Sequence, residues 1–199
     1  MIKALNRIGI LGFCNSAIFW VYLHHPTKHV LLTRFGSNKI ADDPYIRRFN
    51  SSDSFAVREV YSDAIQSQAP SFYHEDQIKA WSSLAWLPGI LDNSLNQGNG
   101  WVSIESEQIV AFALRYPLNR LALLYCRGSF SRRGHATNLL KLSEQDAYRE
   151  GTNILYTEAS LISYPFLLRK GWMLQTKQKI LIAGVTFERY LMKKILYDL

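Results

Sequence analysis

The chain has 199 residues, 48% hydrophobic and 20% charged, with a formal charge of +7. That composition excludes a wholly disordered chain, nothing in it suggests a repeat array, and it fits one globular domain large enough to bury a core. Five Lys/Arg face two Asp in residues 1–44, and eighteen face fourteen acidic residues in 45–199, so the basic excess belongs partly to the leader. Basic residues in the body are scattered and no nucleic-acid-binding motif is present, so no nucleic-acid partner is expected.

Residues 1–44 form an N-terminal extension, and residues 45–199 the working domain. Ile8–Leu23 is a charge-free run preceded by Lys3 and Arg7. It is shorter than the ~20 residues that span a bilayer comfortably. No small-x-small cleavage site follows; His24, His25 and Pro26 do. Three readings fit: a chance apolar stretch in an extension or a start assigned too far upstream, a membrane anchor, or a cleaved signal. The first leaves the protein cytoplasmic; the second tethers it to a membrane. Cys14 and Cys126 lie far apart, with neither metal-ligand spacing nor a disulfide framework, so no metal is expected.

Within the domain, Tyr45–Asn50 reads as a first strand, and Ser51, Ser52 and Asp53 offer helix caps. Val57, Val60, Tyr61, Ala64, Ile65 and Gln68 recur at helical spacing up to Pro70. His74–Ser83 reads as a second helix with Ile78 and Trp81 inward. Leu84–Leu95 holds a third helical piece, broken at Gly98-Asn99-Gly100. Trp101–Ile104 and Ile109–Tyr116 pattern as a hairpin across Glu105–Gln108. Leu121–Cys126 is continuously apolar, as a strand buried on both faces would be. A helix from Ala136 to Glu150 ends at Gly151. Asn153–Glu158 is a strand, Pro165–Lys170 a short helix stopped by Gly171, and Trp172–Ile182 with Val185–Lys193 a closing hairpin across Ala183-Gly184.

The stretch Ser131-Arg132-Arg133-Gly134-His135-Ala136-Thr137 lies between the apolar run and its helix. The first N–H groups of a helix have no partner inside it, and the dipole is positive there. A glycine lets the backbone approach an anion, and arginines add charge. The competing reading is an ordinary basic surface turn.

Leu124 to Thr137 resembles motif A of the GNAT N-acetyltransferase superfamily, Gln/Arg-x-x-Gly-x-Gly/Ala after a strand and an aromatic loop. Phe130 fills the aromatic slot, Ser131 departs from Gln/Arg, Gly134 and Ala136 fill the two small positions, and Thr137 the hydroxyl slot. Pro165–Trp172 resembles the family's Phe-Tyr-x-x-x-Gly-Phe segment. Tyr73–Trp81 resembles the Tyr-x-x-x-Gln-Ile-x-x-Trp segment of the YafP-like subgroup, as does Gln178–Met192 more loosely. With the order of elements, the resemblance covers about residues 45–194. It implies an α/β fold, a mixed central sheet of about six to seven strands flanked by helices. It also implies acetyl-CoA as co-substrate, a primary-amine acceptor and, mildly, a homodimer.

In that family acetyl-CoA lies in a splay between two neighbouring parallel strands, here Leu121–Cys126 and Asn153–Glu158, commonly opened by a β-bulge in the first. The resemblance places the pyrophosphate on Ser131, Arg132, Arg133, Gly134, His135, Ala136 and Thr137, and the pantetheine on the edge of Leu124 and Cys126. The acetyl carbonyl would meet an N–H near Tyr125 or Cys126. Both usual catalytic side chains are absent: Leu167 stands in the Tyr slot and Ala122 in the carboxylate slot. The remaining candidates are Glu158 as base and Tyr164 as acid, with Tyr73, His74, Trp81 and Trp86 as walls of the acceptor pocket. Two rivals stand beside this reading: a catalytically weak acyl-CoA-binding protein, and a membrane-associated binding module.

Overall fold

The computed structural model describes residues 43–197, so the apolar run 8–23 and the three readings of it lie outside the described residues. The chain enters through strand β1 (Tyr45–Arg48) and a 3-10 turn (Ser51–Asp53) into helix α1 (Ser54–Gln68). The turn is closed locally. Asn50 Oδ1 accepts from the Ser52 N–H at 3.0 Å, and Asp53 accepts from the Asn50 N–H at 2.9 Å and from Arg47 at 2.7 and 2.8 Å. Helix α2 (Glu75–Ser83) starts at His74, whose N–H donates to Gln77 Oε1. Helix α3 (Asp92–Gln97) follows, then strands β2 (Asn99–Glu105) and β3 (Gln108–Arg115). Their turn carries positive φ at Ser106 (52°) and Glu107 (61°), the hand that matches the strand twist. Strand β4 (Leu121–Cys126), helix α4 (His135–Arg149), strand β5 (Ile154–Ala159), helix α5 (Ser163–Arg169) and the hairpin β6 (Met173–Ile182) and β7 (Val185–Ile195) complete the domain.

Two sequence expectations shift here. Leu84–Leu95 is mostly turns and becomes helical only from Asp92. Gly98-Asn99-Gly100 is less a break than an entry, because Asn99 and Gly100 already belong to β2. A Cβ on Gly100 would stand 1.9 Å from the Ala113 carbonyl oxygen, so this glycine marks a close approach of two strands.

The seven strands form two antiparallel sheets, β1-β2-β3-β4 and β5-β7-β6. They meet through one parallel bridge, Arg120 with Tyr156. The α/β class and the strand number hold, and the sheet is divided at that point. The strand buried on both faces is β3, not β4. Phe112 and Leu114 face a cluster with Val57, Val60 and Ile65 of α1, while Ala111 and Ala113 face Leu139 and Leu140 of α4. In β4 only Leu121 and Leu123 are buried, while Leu124, Tyr125 and Cys126 line a cleft. Small alanines on one face of β3 let α4 pack directly on it. Among the described residues no helix is long and apolar enough to cross a membrane.

Candidate active site

Beyond the Arg120–Tyr156 bridge, β4 and β5 diverge. Two bonds close the vertex: the Tyr156 N–H to the Asn119 carbonyl at 2.9 Å, and Thr157 Oγ1 to the Leu121 carbonyl at 2.8 Å. The β3–β4 register slips between Leu114 and Arg115, so that Ala122 is an extra, bulged residue in β4. Past the vertex lies a cleft of about 530 Å³.

The free edge of β4 follows from ladder alternation. Arg127 donates its N–H to the Val110 carbonyl at 2.8 Å, and Cys126, Tyr125 and Leu124 stand opposite Ala111, Phe112 and Ala113. Hydrogen-bonded pairs alternate along an antiparallel ladder, so Tyr125 pairs with β3, while Leu124 and Cys126 turn their N–H and C=O into the cleft. The Cys126 carbonyl is taken by Gln68 Nε2 of α1 at 2.7 Å. The Tyr125 ring packs on Phe112 and on Tyr61, and burial pushes its phenol up to about 12. Burial, reinforced by Asp63, likewise pushes the Cys126 thiol up to about 11, which suits a packing role and not a nucleophile.

At the far wall α4 begins. Arg132 (φ 64°) and Gly134 (φ 94°) are both left-handed, and a Cβ on Gly134 would meet nothing within 4 Å. No side chain caps this helix and no acid stands in its first turn. The first intrahelical bond is the Asn138 N–H to the Gly134 carbonyl, so the amides of His135, Ala136 and Thr137 have no acceptor within the helix. Ser131, Arg132, Gly134, His135, Ala136 and Thr137 all line the cleft. An uncapped helix start at the wall of a cleft is an anion seat.

Arg133 does not line it. Its guanidinium pairs with Glu105 Oε1 at 2.6 Å and lies over the Phe130 ring. The side chain of His135 is also engaged elsewhere than sequence suggested: it is buried, with Nδ1 2.9 Å from Ser103 Oγ and Nε2 3.0 Å from Glu105 Oε2. Glu105, at the end of β2, thus ties down the whole loop before α4. Nothing in the linear sequence pairs position 105 with 133 and 135.

Of the catalytic candidates, Glu158 lines the cleft and Tyr164 does not. Arg120 grips Glu158 through Nε at 2.8 Å and a terminal nitrogen at 2.7 Å. Both contacts land on Oε2, so Oε1 has no partner among the described residues. Tyr164 is stacked on Tyr190, with centroids 4.1 Å apart. Leu167 is buried core and Ala122 sits in the bulge. Trp81 lines the cleft. Tyr73 is core, its hydroxyl accepting from the Leu161 N–H; His74 starts α2; Trp86 is exposed beside Phe55. Sequence reasoning missed Gln68, Arg120, Arg169 and Lys170 as cleft or near-cleft residues. Among the described residues no group of His, Cys, Asp or Glu is arranged to hold a metal.

No family model and no curated protein matches the sequence. Solved structures do match the fold. The GCN5-related N-acetyltransferase (aminotransferase, class II) of Rhodopseudomonas palustris is 22% identical, with a TM-score of 0.73 over 79% of this chain and 98% of that one. PaiA N-acetyltransferase of Thermoplasma acidophilum, solved with coenzyme A, is 14% identical, with a TM-score of 0.62 over 76% and 98%. YncA of Salmonella typhimurium, solved with its cofactor acetyl-CoA, is 14% identical, with a TM-score of 0.54 over 78% and 95%. The chain therefore has the fold of the GNAT N-acetyltransferases.

Proposed function

We propose that this protein is an acetyl-CoA-dependent N-acetyltransferase acting on a primary amine. The observation that carries the reading is the cleft itself. The uncapped start of α4, free of acids, and the outward-facing edge of Leu124 and Cys126 line one continuous space. The first suits a diphosphate; the second suits the amides of an extended pantetheine arm, added as a pseudo-strand. The acetyl carbonyl then accepts from the Cys126 N–H, which faces the cleft where that of Tyr125 does not. Two named neighbours carry coenzyme A or acetyl-CoA, which supports the choice of donor. The YafP-like resemblance belongs to the same reading.

The reaction needs a proton taken from the amine and one returned to the departing thiolate. Glu158 Oε1 takes the first, while Arg120 holds Oε2 and so fixes the rotamer. The amine nitrogen bonds to the acetyl carbon, the C–S bond breaks, and the same carboxyl returns its proton to sulfur. Tyr164, stacked away on Tyr190, enters that step only by leaving its stack.

Calorimetric titration of acetyl-CoA into the full chain tests the donor site. Micromolar binding is expected. Gly134→Asp places a carboxylate where the diphosphate sits and should remove it, while Gly134→Ala carries the same backbone strain without the charge and retains most of it. Equal affinity in wild type and Gly134→Asp refutes the placement. Amine screening by thiol release follows, and Glu158→Gln should lower kcat by about 10²-fold or more. A second reading, an acyl-CoA binder without turnover, is favoured by the Arg120 grip on Glu158 and by Leu167 and Ala122 in the catalytic slots. It predicts binding with no thiol release for any amine.

A further inference from the structure

The two sides of the cleft differ in chemistry. Its cations, Arg132, Arg169 and Lys170, come from the loop before α4 and from the end of α5. Those helices pack on one side of the sheets, α4 through Leu139 and Leu140 and α5 through Leu167, in one cluster with Leu155 and Ala159 of β5. Side chains alternate along a strand, so Glu158 faces the other side. That is the side of α1 and α2, where the Tyr125 ring packs on Phe112 and on Tyr61 of α1. There the cleft is lined by Ala64, Ile65 and Gln68 of α1 and by Trp81 of α2, with Ile162 at the start of α5. Not one of these side chains carries a charge. Trp81 meets Tyr73 and Phe187 edge-on, with ring centres 5.3 and 6.3 Å away. Both partners are buried, so the indole is a fixed wall.

Among the described residues Glu158 is the one carboxylate of the lining, and Arg120 already holds its Oε2. Oε1 is left to meet a single ammonium. A second ammonium on the same molecule would find no acid on this side. A carboxylate beside the nitrogen would meet the charge of Glu158, and Arg120 has Nε and both terminal nitrogens engaged. Resting on the proposed acetyl-transfer reading, we infer that the acceptor is a monoamine with a flat apolar body, an arylalkylamine by class. Its ring lies along Trp81 and Ile65, and its nitrogen meets Glu158 Oε1. Aromatic rings favour offset or edge contact with an indole, and a fixed apolar wall discriminates by the carbon it covers. The ammonium first gives one proton to solvent. The amine nitrogen then takes the acetyl group, its second proton passes through Glu158 to the departing sulfur, and the products are the amide and the free thiol.

The test is a matched series of amines with the full chain, read by thiol release from acetyl-CoA, beside calorimetric titration of acetyl-CoA alone. Phenethylamine carries the ring, propylamine lacks it, putrescine adds a second ammonium, and free phenylalanine adds a carboxylate. Phenethylamine should exceed each of the other three in kcat/KM by about tenfold or more. Trp81→Ala should bring phenethylamine and propylamine within about threefold of one another, chiefly through KM, and Trp81→Phe should keep most of the difference. The wild-type ranking decides the matter even where Trp81→Ala does not fold. Equal or better turnover of putrescine, phenylalanine or propylamine overturns the inference and leaves the transfer reading intact. So does a Trp81→Ala variant with native circular dichroism and the wild-type preference ratio. Acetyl-CoA binding without thiol release from any of the four overturns the inference in favour of the acyl-CoA binder. No binding of acetyl-CoA overturns the donor reading, and this acceptor class with it.

Discussion

Replacing His135 by alanine should both destabilise the domain and loosen the proposed diphosphate seat. The imidazole is 4% exposed and touches Ser103 Oγ, itself on a residue 1% exposed, at 2.9 Å, and Glu105 Oε2 at 3.0 Å. Alanine leaves the serine hydroxyl buried without a partner, at about 1–3 kcal/mol. It also opens a small void beneath the first turn of α4, adding about 1 kcal/mol. The sum, about 2–4 kcal/mol, corresponds to a fall in Tm of about 5–12 °C for a domain of this size. Thermal unfolding by circular dichroism reads it directly. Glu105→Gln is the control: it keeps an acceptor for the imidazole and removes the negative charge that pairs with the exposed Arg133, a pair worth about 1 kcal/mol or less. Ser103→Ala in the His135→Ala background should recover part of the loss, because it removes the stranded hydroxyl. A His135→Ala variant within about 1 kcal/mol of wild type, or no recovery in the double variant, refutes the argument. Acetyl-CoA affinity should fall in His135→Ala and hold in Glu105→Gln.

Two further outcomes follow from titratable groups. The Arg47 guanidinium bonded to Asp53 holds that carboxyl below the usual carboxylate range, so its contribution to stability is present above about pH 4 and is lost as pH falls through the lower folded value; Asp53→Asn should flatten acid unfolding in that window, and an unchanged acid limb would refute the role. Cys126, pushed up to about 11 by burial, should react with iodoacetamide far more slowly than a free thiol at pH 8 in a Cys14→Ser background, and its rate should climb about tenfold per pH unit towards that value; a plateau near pH 9 would contradict the burial argument.

What was legible in the sequence was local. Helical spacing placed α1 and α4, and the apolar run placed β4 to the residue, because periodicity and capping act over a few positions. The Arg/Gly loop announced an anion seat because Gly134 and the missing acids are visible in order along the chain. What was not legible depends on contacts across long sequence separations. His135 read as a neighbour of phosphates, yet its ring belongs to Ser103 and Glu105, about thirty positions away. Glu158 reads as a candidate base, and the sequence does not show that Arg120, from the loop before β4, holds one of its oxygens. Tyr164 reads as a candidate acid, yet its ring stacks on Tyr190 of β7 and does not line the cleft. The apolar run of β4 reads as the strand buried on both faces, because an apolar run cannot say which of its edges will be left unpaired.

Among the described residues a single bridge joins the two sheets, and it makes the cleft an angular device. From the vertex at Arg120–Tyr156 to Cys126 the chain runs six residues, an arm of about 20 Å. At the end of such an arm, a turn of about 3° displaces the tip by about 1 Å, close to the increment that separates an acetyl from a propionyl chain. On the proposed acetyl-CoA reading, acyl-length preference would therefore be adjustable by residues that never touch the acyl group. Those at the fulcrum, Thr157 and Asn119 foremost, set an aperture that the lining residues only finish.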